Sequence, residues 1–69
     1  MGISTHMDSG AVIRRLEADG WRLDRVKGSH HHFIHSTKPG VVTVVHPLRD
    51  IPKGTLGSIQ RQAKLKLRD

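Results

Sequence analysis

The chain has 69 residues, carries a formal net charge of +6 and contains no cysteine. This length allows a single domain with a thin core, and the lack of cysteine excludes disulfides and thiolate metal sites. No apolar run approaches the roughly 18 residues of a membrane span, and no secretory signal is recognisable at the start. We therefore expect a cytoplasmic protein with no membrane contact.

The first helix is expected soon after the start. Residues 1–6 show no periodicity, and we interpret them as a vector-derived leader before a natural start at Met7. Asp8 and Ser9 follow, and both are residue types that cap the start of a helix. Gly20 is typical of a helix end. Between them, apolar residues recur at helical spacing. The pattern predicts a helix over about 9–19, with a buried stripe formed by Val12, Ile13 and Leu16.

Three strands are predicted next, because β-branched and alternating segments are separated by glycine-containing turns. The predicted strands are 21–26, 30–36 and 41–45. Alternation in the first strand places Trp21 and Leu23 on the buried side. A turn at Lys27–Gly28 joins the first two strands, and their short connections predict an antiparallel sheet.

A second helix completes the predicted fold. Pro52 suits its first position, because a missing amide hydrogen costs nothing there. The buried stripe of this helix consists of Leu56, Ile59 and Ala63. We expect one domain over residues 7–65 and a frayed tail over 66–69. The predicted class is α+β, of order α-β-β-β-α, with both helices on one face of a three-stranded antiparallel sheet.

Histidines are the residues best suited to chemistry in this chain. Six occur, and four of them are His30, His31, His32 and His35. Imidazole titrates near neutral pH, so it can take the proton of a ribose 2′-hydroxyl or protonate a leaving 5′-oxygen. The positive charge favours an anionic partner, and nucleic acid comes first. A merely cationic surface is the alternative.

Several plainer interpretations compete with a catalytic one. His35 and His46 are expected to be solvated polar residues, and His32 is as well explained that way as by a contact with substrate. A divalent metal on the histidine run is disfavoured, because His31 and His35 point away from His30 and His32 on a strand. We expect no metal and no cofactor. Gly28 allows a phosphate to approach the backbone closely or simply forms a turn.

The segment KGSHHHFIHSTKPGVVTVVHPLRDIPKGTLGSIQRQA, with ADGWRLDRVKGSHHH at its start, resembles the HicA toxin family, also called YcfA-like. The resemblance runs from about Met7 to Ala63. Its diagnostic combination is Gly-Trp, Gly-Ser-His, Val-Thr-Val, His-Pro and then Pro-Lys-Gly-Thr-Leu opening a helix. Val45 stands where the family often has proline, and Lys64 stands where a glycine usually ends the last helix.

The resemblance implies a double-stranded-RNA-binding-domain-like fold and a type II toxin that cleaves mRNA without the ribosome. It also implies a HicB-type antitoxin as partner. We expect the free toxin to be a monomer or a weak dimer. The family's catalytic histidine follows the Gly-Ser pair, which makes it His30 or His31 here. His30 is preferred if Phe33 packs under the helices, and His31 becomes the candidate if Ile34 does.

The residues expected to bind substrate surround that histidine or begin the second helix: Lys27, Gly28, Ser29, His32 and Lys53. Backbone contacts with little base recognition would give a weak sequence preference. Two other functions remain open. A non-catalytic double-stranded-RNA-binding module would have the same charge and element order. A pure interaction domain would dock an acidic protein on its basic face.

Overall fold

Two helices and three strands alternate along residues 7–67, which are the part of the chain that this computed structural model describes. The elements are α1 (Ser9–Ala18), β1 (Trp21–Lys27), β2 (His30–His35), β3 (Val42–Val45) and α2 (Lys53–Ala63). The order α-β-β-β-α and the single antiparallel sheet confirm the predicted fold class. The expected leader at 1–6 lies outside the described residues.

Helix α1 begins and ends as its sequence predicts. The Asp8 side chain accepts a hydrogen bond from the amide of Ala11 (2.7 Å), which satisfies one otherwise unpaired amide. Ser9 is buried, and its amide donates to the Leu48 carbonyl (2.8 Å). At the other end, Gly20 has a φ of 102°, which a side chain would strain.

The sheet has the order β1-β2-β3, so β2 is central. β1 and β2 are joined by a turn at Gly28–Ser29, one residue later than predicted, and Lys27 pairs with His30 across it. Gly28 has a φ of 61°, as the first central residue of a type II′ hairpin turn does. The pairing shifts at Asp24, which has no partner on β2 and forms a bulge.

The core lies between the sheet and the two helices. Its residues are Val12, Leu16, Trp21, Phe33, Val42, Val44, Ile51, Leu56, Ile59, Ala63 and Leu67. The predicted stripe of α2 is therefore confirmed. Leu23 lies on the helix-covered side as expected, opposite Phe33, but it is not buried there: the residue is 49% exposed, whereas Trp21 is 1% exposed. β1 is an edge strand, and after Trp21 all of its residues are exposed.

Helix α2 ends in a conformation that normally favours glycine. Pro52 is the residue before the helix, one position from the prediction. Lys64 has φ 50° and ψ 49°, the left-handed conformation. Its position is the one where the resemblance led us to expect glycine. None of the helices in residues 7–67 is long and apolar enough to cross a membrane.

Residues 66 and 67, part of the tail that we expect to fray, make specific contacts with both helices. Leu67 is 2% exposed, and its amide donates to Oε1 of Gln60 (2.9 Å). Arg15 of α1 donates to the carbonyls of Lys66 (2.6 Å) and Leu67 (3.2 Å). A buried leucine and these hydrogen bonds hold the segment after α2 against α1. Residues 68 and 69 lie outside the described part.

Candidate active site

The pairing of the strands divides the histidines between the two faces of the sheet. Phe33 is 1% exposed under the helices and pairs with buried Val42. Because side chains alternate along a strand, His31 shares the helix-covered face with Phe33. His30 and His32 lie on the opposite face, which we call the open face. This is the arrangement expected if Phe33, and not Ile34, is the core residue.

His30 is the first residue of β2 and is exposed. It pairs with Lys27 on β1 and with Val45 on β3. Its imidazole makes no hydrogen bond to any residue in 7–67. The turn at Gly28–Ser29 precedes it directly, so a tight turn, a cationic side chain and an imidazole lie together at one corner of the sheet.

His32 is half-buried on the same face, two residues further along β2. A hydrogen bond of 2.9 Å joins its Nδ1 to Oγ1 of Thr43, its partner on β3. On the other side it pairs with Arg25. The bulge at Asp24 shifts the alternation of β1 and brings Arg25 to the open face, a position that the local sequence pattern does not predict.

His31 belongs to a second cluster, on the helix-covered side at the same end of the sheet. Its ring lies edge-on to His46, with centroids 5.0 Å apart and an interplanar angle of 88°. Its Nδ1 donates to the Ser29 carbonyl (3.3 Å), which also accepts from the His46 amide (2.8 Å). A further hydrogen bond of 2.6 Å joins His46 Nδ1 to Ser9 Oγ. The expectation of a solvated His46 is therefore wrong.

An open cleft of about 530 Å³ adjoins this second cluster. It is lined by Asp8, Ser9, Gly10, Arg14, His46, Pro47, Leu48 and Arg49. The cleft lies between the start of α1 and the loop after β3, so it does not include the open face. The Ser9–His46 contact was missed from the sequence because 37 residues separate the two partners.

His35 has a structural role. Its Nδ1 accepts from the amides of Thr37 (3.0 Å) and Lys38 (3.2 Å), so Nε2 carries the proton and donates to the Asp19 carbonyl (2.6 Å). The ring also lies edge-on to Trp21, with centroids 5.1 Å apart. The expectation of a solvated His35 is wrong, because both ring nitrogens form hydrogen bonds to backbone atoms of the protein.

The other predicted site residues lie at the end of β1, in the turn before β2 and at the start of α2. Lys27, Gly28 and Ser29 are exposed next to His30. Lys53 is exposed in the first turn of α2 and so belongs to the helical layer, away from the open face. Within residues 7–67, no group of three histidine, aspartate or glutamate side chains is arranged to hold a metal ion.

Comparison with known proteins places the chain in a family. The family model described as the HicA toxin of bacterial toxin–antitoxin systems matches residues 11–65. No curated protein matches the chain. Among solved structures, a chain of a "HicA3 and HicB3 toxin-antitoxin complex" is similar, with a TM-score of 0.76 and 35% identity. The match covers 90% of this chain and 100% of that one. The chain thus belongs to the HicA family of bacterial toxins.

Proposed function

We propose that the protein is an mRNA-cleaving endoribonuclease that acts without the ribosome, in the cytoplasm, with His30 as a catalytic residue. The observation that carries the proposal is the position of His30. It is an exposed imidazole at one end of the open face, and Lys27 pairs with it directly. This corner combines a group able to transfer a proton with a cation able to hold a phosphate.

The chemistry needs little more than these groups. A base removes the proton of the 2′-hydroxyl, the 2′-oxygen bonds to the adjacent phosphorus, and the P–O5′ bond breaks as the 5′-oxygen takes up a proton. Negative charge grows on the phosphoryl oxygens, and we assign its stabilisation to Lys27 and the amides of Gly28 and Ser29. Imidazole supplies the proton transfer and lysine the positive charge, so this mechanism needs no metal. The positive φ of Gly28 lets backbone come close to the phosphate.

His30 suits this role better than His31. The His31 imidazole donates to the Ser29 carbonyl and packs against His46 on the helix-covered side. It would lose both contacts on turning towards an RNA strand laid across the open face. His30 has no hydrogen bond within residues 7–67 to give up. Lys53, on the helical layer, is assigned a phosphate contact outside the cleavage position.

The proposed partner that controls the activity is a HicB-type antitoxin. The similar solved structure is a HicA3–HicB3 complex, and it matches 90% of this chain. A protein bound across the open face would exclude RNA from His30. An antitoxin would therefore block cleavage by covering the site, without changing its chemistry.

The test is cleavage of a labelled RNA by purified protein in EDTA, without ribosomes. The parent chain is expected to cleave, His30→Ala to lose cleavage, and His31→Ala to retain at least part of it. Circular dichroism confirms folding, and Ser36→Ala is the control, because Ser36 is exposed just beyond β2. Intact RNA alongside tight binding would identify a binding module instead. Loss of cleavage only in His31→Ala would move the site to the second cluster.

A growth assay tests the same proposal in cells. Expression of the parent chain is expected to arrest growth, and co-expression of the cognate antitoxin is expected to restore it. His30→Ala should accumulate to the same level without arresting growth. Growth arrest by a stably expressed His30→Ala protein would contradict the assignment.

A further inference from the structure

The open face carries a second imidazole, that of His32, beside His30. His30 and His32 are two residues apart on β2, so their side chains leave the same face roughly 6.6 Å apart along the strand. We propose that His32 is the second proton-transfer residue of RNA cleavage and that Thr43 is its positioning residue. This inference rests on the proposed function.

The contact with Thr43 fixes which ring nitrogen of His32 is available. Nδ1 is 2.9 Å from Thr43 Oγ1, so this nitrogen is engaged within the sheet. Nε2, at the other end of the ring, has no hydrogen bond within residues 7–67. When the imidazole is charged, Nδ1–H donates to Oγ1 and Nε2–H is free to donate to a substrate oxygen. When it is neutral with its proton on Nδ1, Nε2 is free to accept.

The surroundings of His32 suit a phosphate. Arg25 faces it from β1, next to the bulge residue Asp24, and β3 contributes the uncharged Thr43. Both helices pack on the opposite face, so no helix covers this one. A phosphate between the two imidazoles would have Lys27 at the His30 end and Arg25 at the His32 end.

Two imidazoles complete the proton balance of the reaction. One takes the 2′-hydroxyl proton while the 2′-oxygen forms a bond to phosphorus. The other gives a proton to the 5′-oxygen as the P–O5′ bond breaks. The products are a 2′,3′-cyclic phosphate and a free 5′-hydroxyl, and no water is consumed. Proton exchange with solvent then restores both imidazoles.

Kinetics on a labelled single-stranded RNA test the proposal. His32→Gln is expected to lower kcat by about 10²-fold or more, since general acid–base catalysis contributes that much, with KM changed far less. The parent should show a bell-shaped dependence of kcat/KM on pH, and His32→Gln should lose one limb of it. A variant with the parent's kcat, or with a raised KM alone, would reduce His32 to a binding residue and overturn the proposal.

Thr43 provides a second, gentler test. Thr43→Val keeps the shape of the side chain but removes the hydroxyl, so kcat should fall and the limb of the pH profile assigned to His32 should move. Thr43→Ser restores the hydroxyl and should recover both. A profile identical in all three proteins would show that the hydrogen bond does not position the ring for reaction.

A substrate with sulfur in place of the bridging 5′-oxygen separates the two roles. The sulfur leaving group departs without a proton. This substrate should therefore restore cleavage by the variant that lacks the general acid, whereas cleavage by the variant that lacks the general base should stay impaired. Rescue of one of His30→Ala and His32→Gln, but not the other, supports the pair. Equal behaviour of both variants on this substrate contradicts it.

Failure of this inference is distinguishable from failure of the proposed function. An inactive His30→Ala beside a fully active His32→Gln removes only the second residue. A parent chain that cleaves no RNA removes both proposals. Ser36→Ala again serves as the folding-neutral control.

Discussion

Lys38 Nζ donates to Asp19 Oδ2 at 2.6 Å and, with the same ammonium group, to the carbonyls of Ala63 (3.0 Å) and Lys64 (3.2 Å). Asp19 follows α1, and Ala63 and Lys64 lie at the end of α2. A cation at the carbonyl end of a helix is favourable, because the backbone dipole leaves partial negative charge there. One lysine from the loop before β3 therefore ties the ends of both helices together.

The first prediction concerns stability in acid. The hydrogen bond from Lys38 holds the pKa of the Asp19 carboxyl below its usual range, and the charge of Lys38 acts in the same direction while burial opposes it. A carboxyl with a lowered folded-state pKa stabilises the fold fully above its unfolded pKa, about 4. That stabilisation is lost as the pH falls through the folded pKa. Asp19→Asn should therefore lower Tm at pH 7 and flatten its decline below about pH 4.

Melting curves from pH 2 to pH 7 measure this effect. Asp50→Asn is the matched control, since Asp50 is exposed and forms no ion pair within residues 7–67. Lys38→Met should lower Tm at pH 7 in the same way, because it removes the other partner. An Asp19→Asn protein whose Tm follows the parent's acid decline would refute the assignment.

The second prediction concerns Gly20, which packs against the hydrogen-bonded imidazole of His35. A Cβ at Gly20 would lie 2.9 Å from His35 Nε2, and the residue has a φ of 102°. That ring nitrogen is held by the Asp19 carbonyl and cannot move without losing its hydrogen bond. Gly20→Ala should cost about 2 kcal/mol of unfolding free energy or more, from backbone strain and the clash.

Gly54 supplies the control for this change. It lies in α2, and a Cβ there would meet nothing within 4 Å. Gly54→Ala should stabilise the fold by up to about 1 kcal/mol, since alanine is the better helix former. Urea denaturation measures both. Equal effects of the two substitutions would show that neither the φ nor the ring of His35 constrains Gly20.

Local sequence patterns were sufficient to predict the fold class and the order of its elements. Period-2 and helical spacing, with glycine and proline at the ends, predicted all five elements to within about two residues. They could not decide between Phe33 and Ile34 as the core residue of β2, because alternation fits either choice. Only the pairing of Phe33 with buried Val42 places His30 on the open face.

Features that depend on distant partners were missed. The bulge at Asp24 places Arg25 opposite His32, and the local sequence pattern does not predict this bulge. Hydrogen bonds from Arg15 to the segment after α2 span more than 50 residues. From the sequence alone, Leu67 is therefore expected in a frayed tail, although in the structure it is buried against the core.

The third prediction tests that segment. Leu67 is 2% exposed, so Leu67→Ala should cost about 2–3 kcal/mol. In a domain this small, such a loss is a large part of the total stability. Lys66→Ala is the control, because Lys66 is exposed and contributes only its carbonyl to Arg15. Equal Tm values for the two variants would mean that the end of the chain frays after all.

The fourth prediction is a stabilising change at Lys64. Its φ of 50° disfavours any residue with a Cβ, at a cost of about 1 kcal/mol or more. Lys64→Gly should raise the unfolding free energy by about 0.5–1 kcal/mol, the strain relieved minus the extra chain entropy of glycine. Lys64→Ala removes the same side chain without relieving φ and should gain nothing. Equal gains from both would attribute the effect to charge.

The last prediction concerns how RNA lies on the open face. Arg25 and Lys27 pair with His32 and His30, so a strand crossing both imidazoles would bring phosphates within reach of both cations. The logarithm of the affinity falls linearly with the logarithm of the salt concentration. Each phosphate contact removed should make this slope shallower by roughly 0.7 on single-stranded RNA. Arg25→Gln and Lys27→Gln should each show that loss, and the double variant twice as much. Arg14→Gln removes equal charge from α1, on the other side of the sheet, and should leave the slope unchanged. A larger effect at Arg14 than at Arg25 would place the RNA in the cleft beside His46, and with it the chemistry on the helix-covered side.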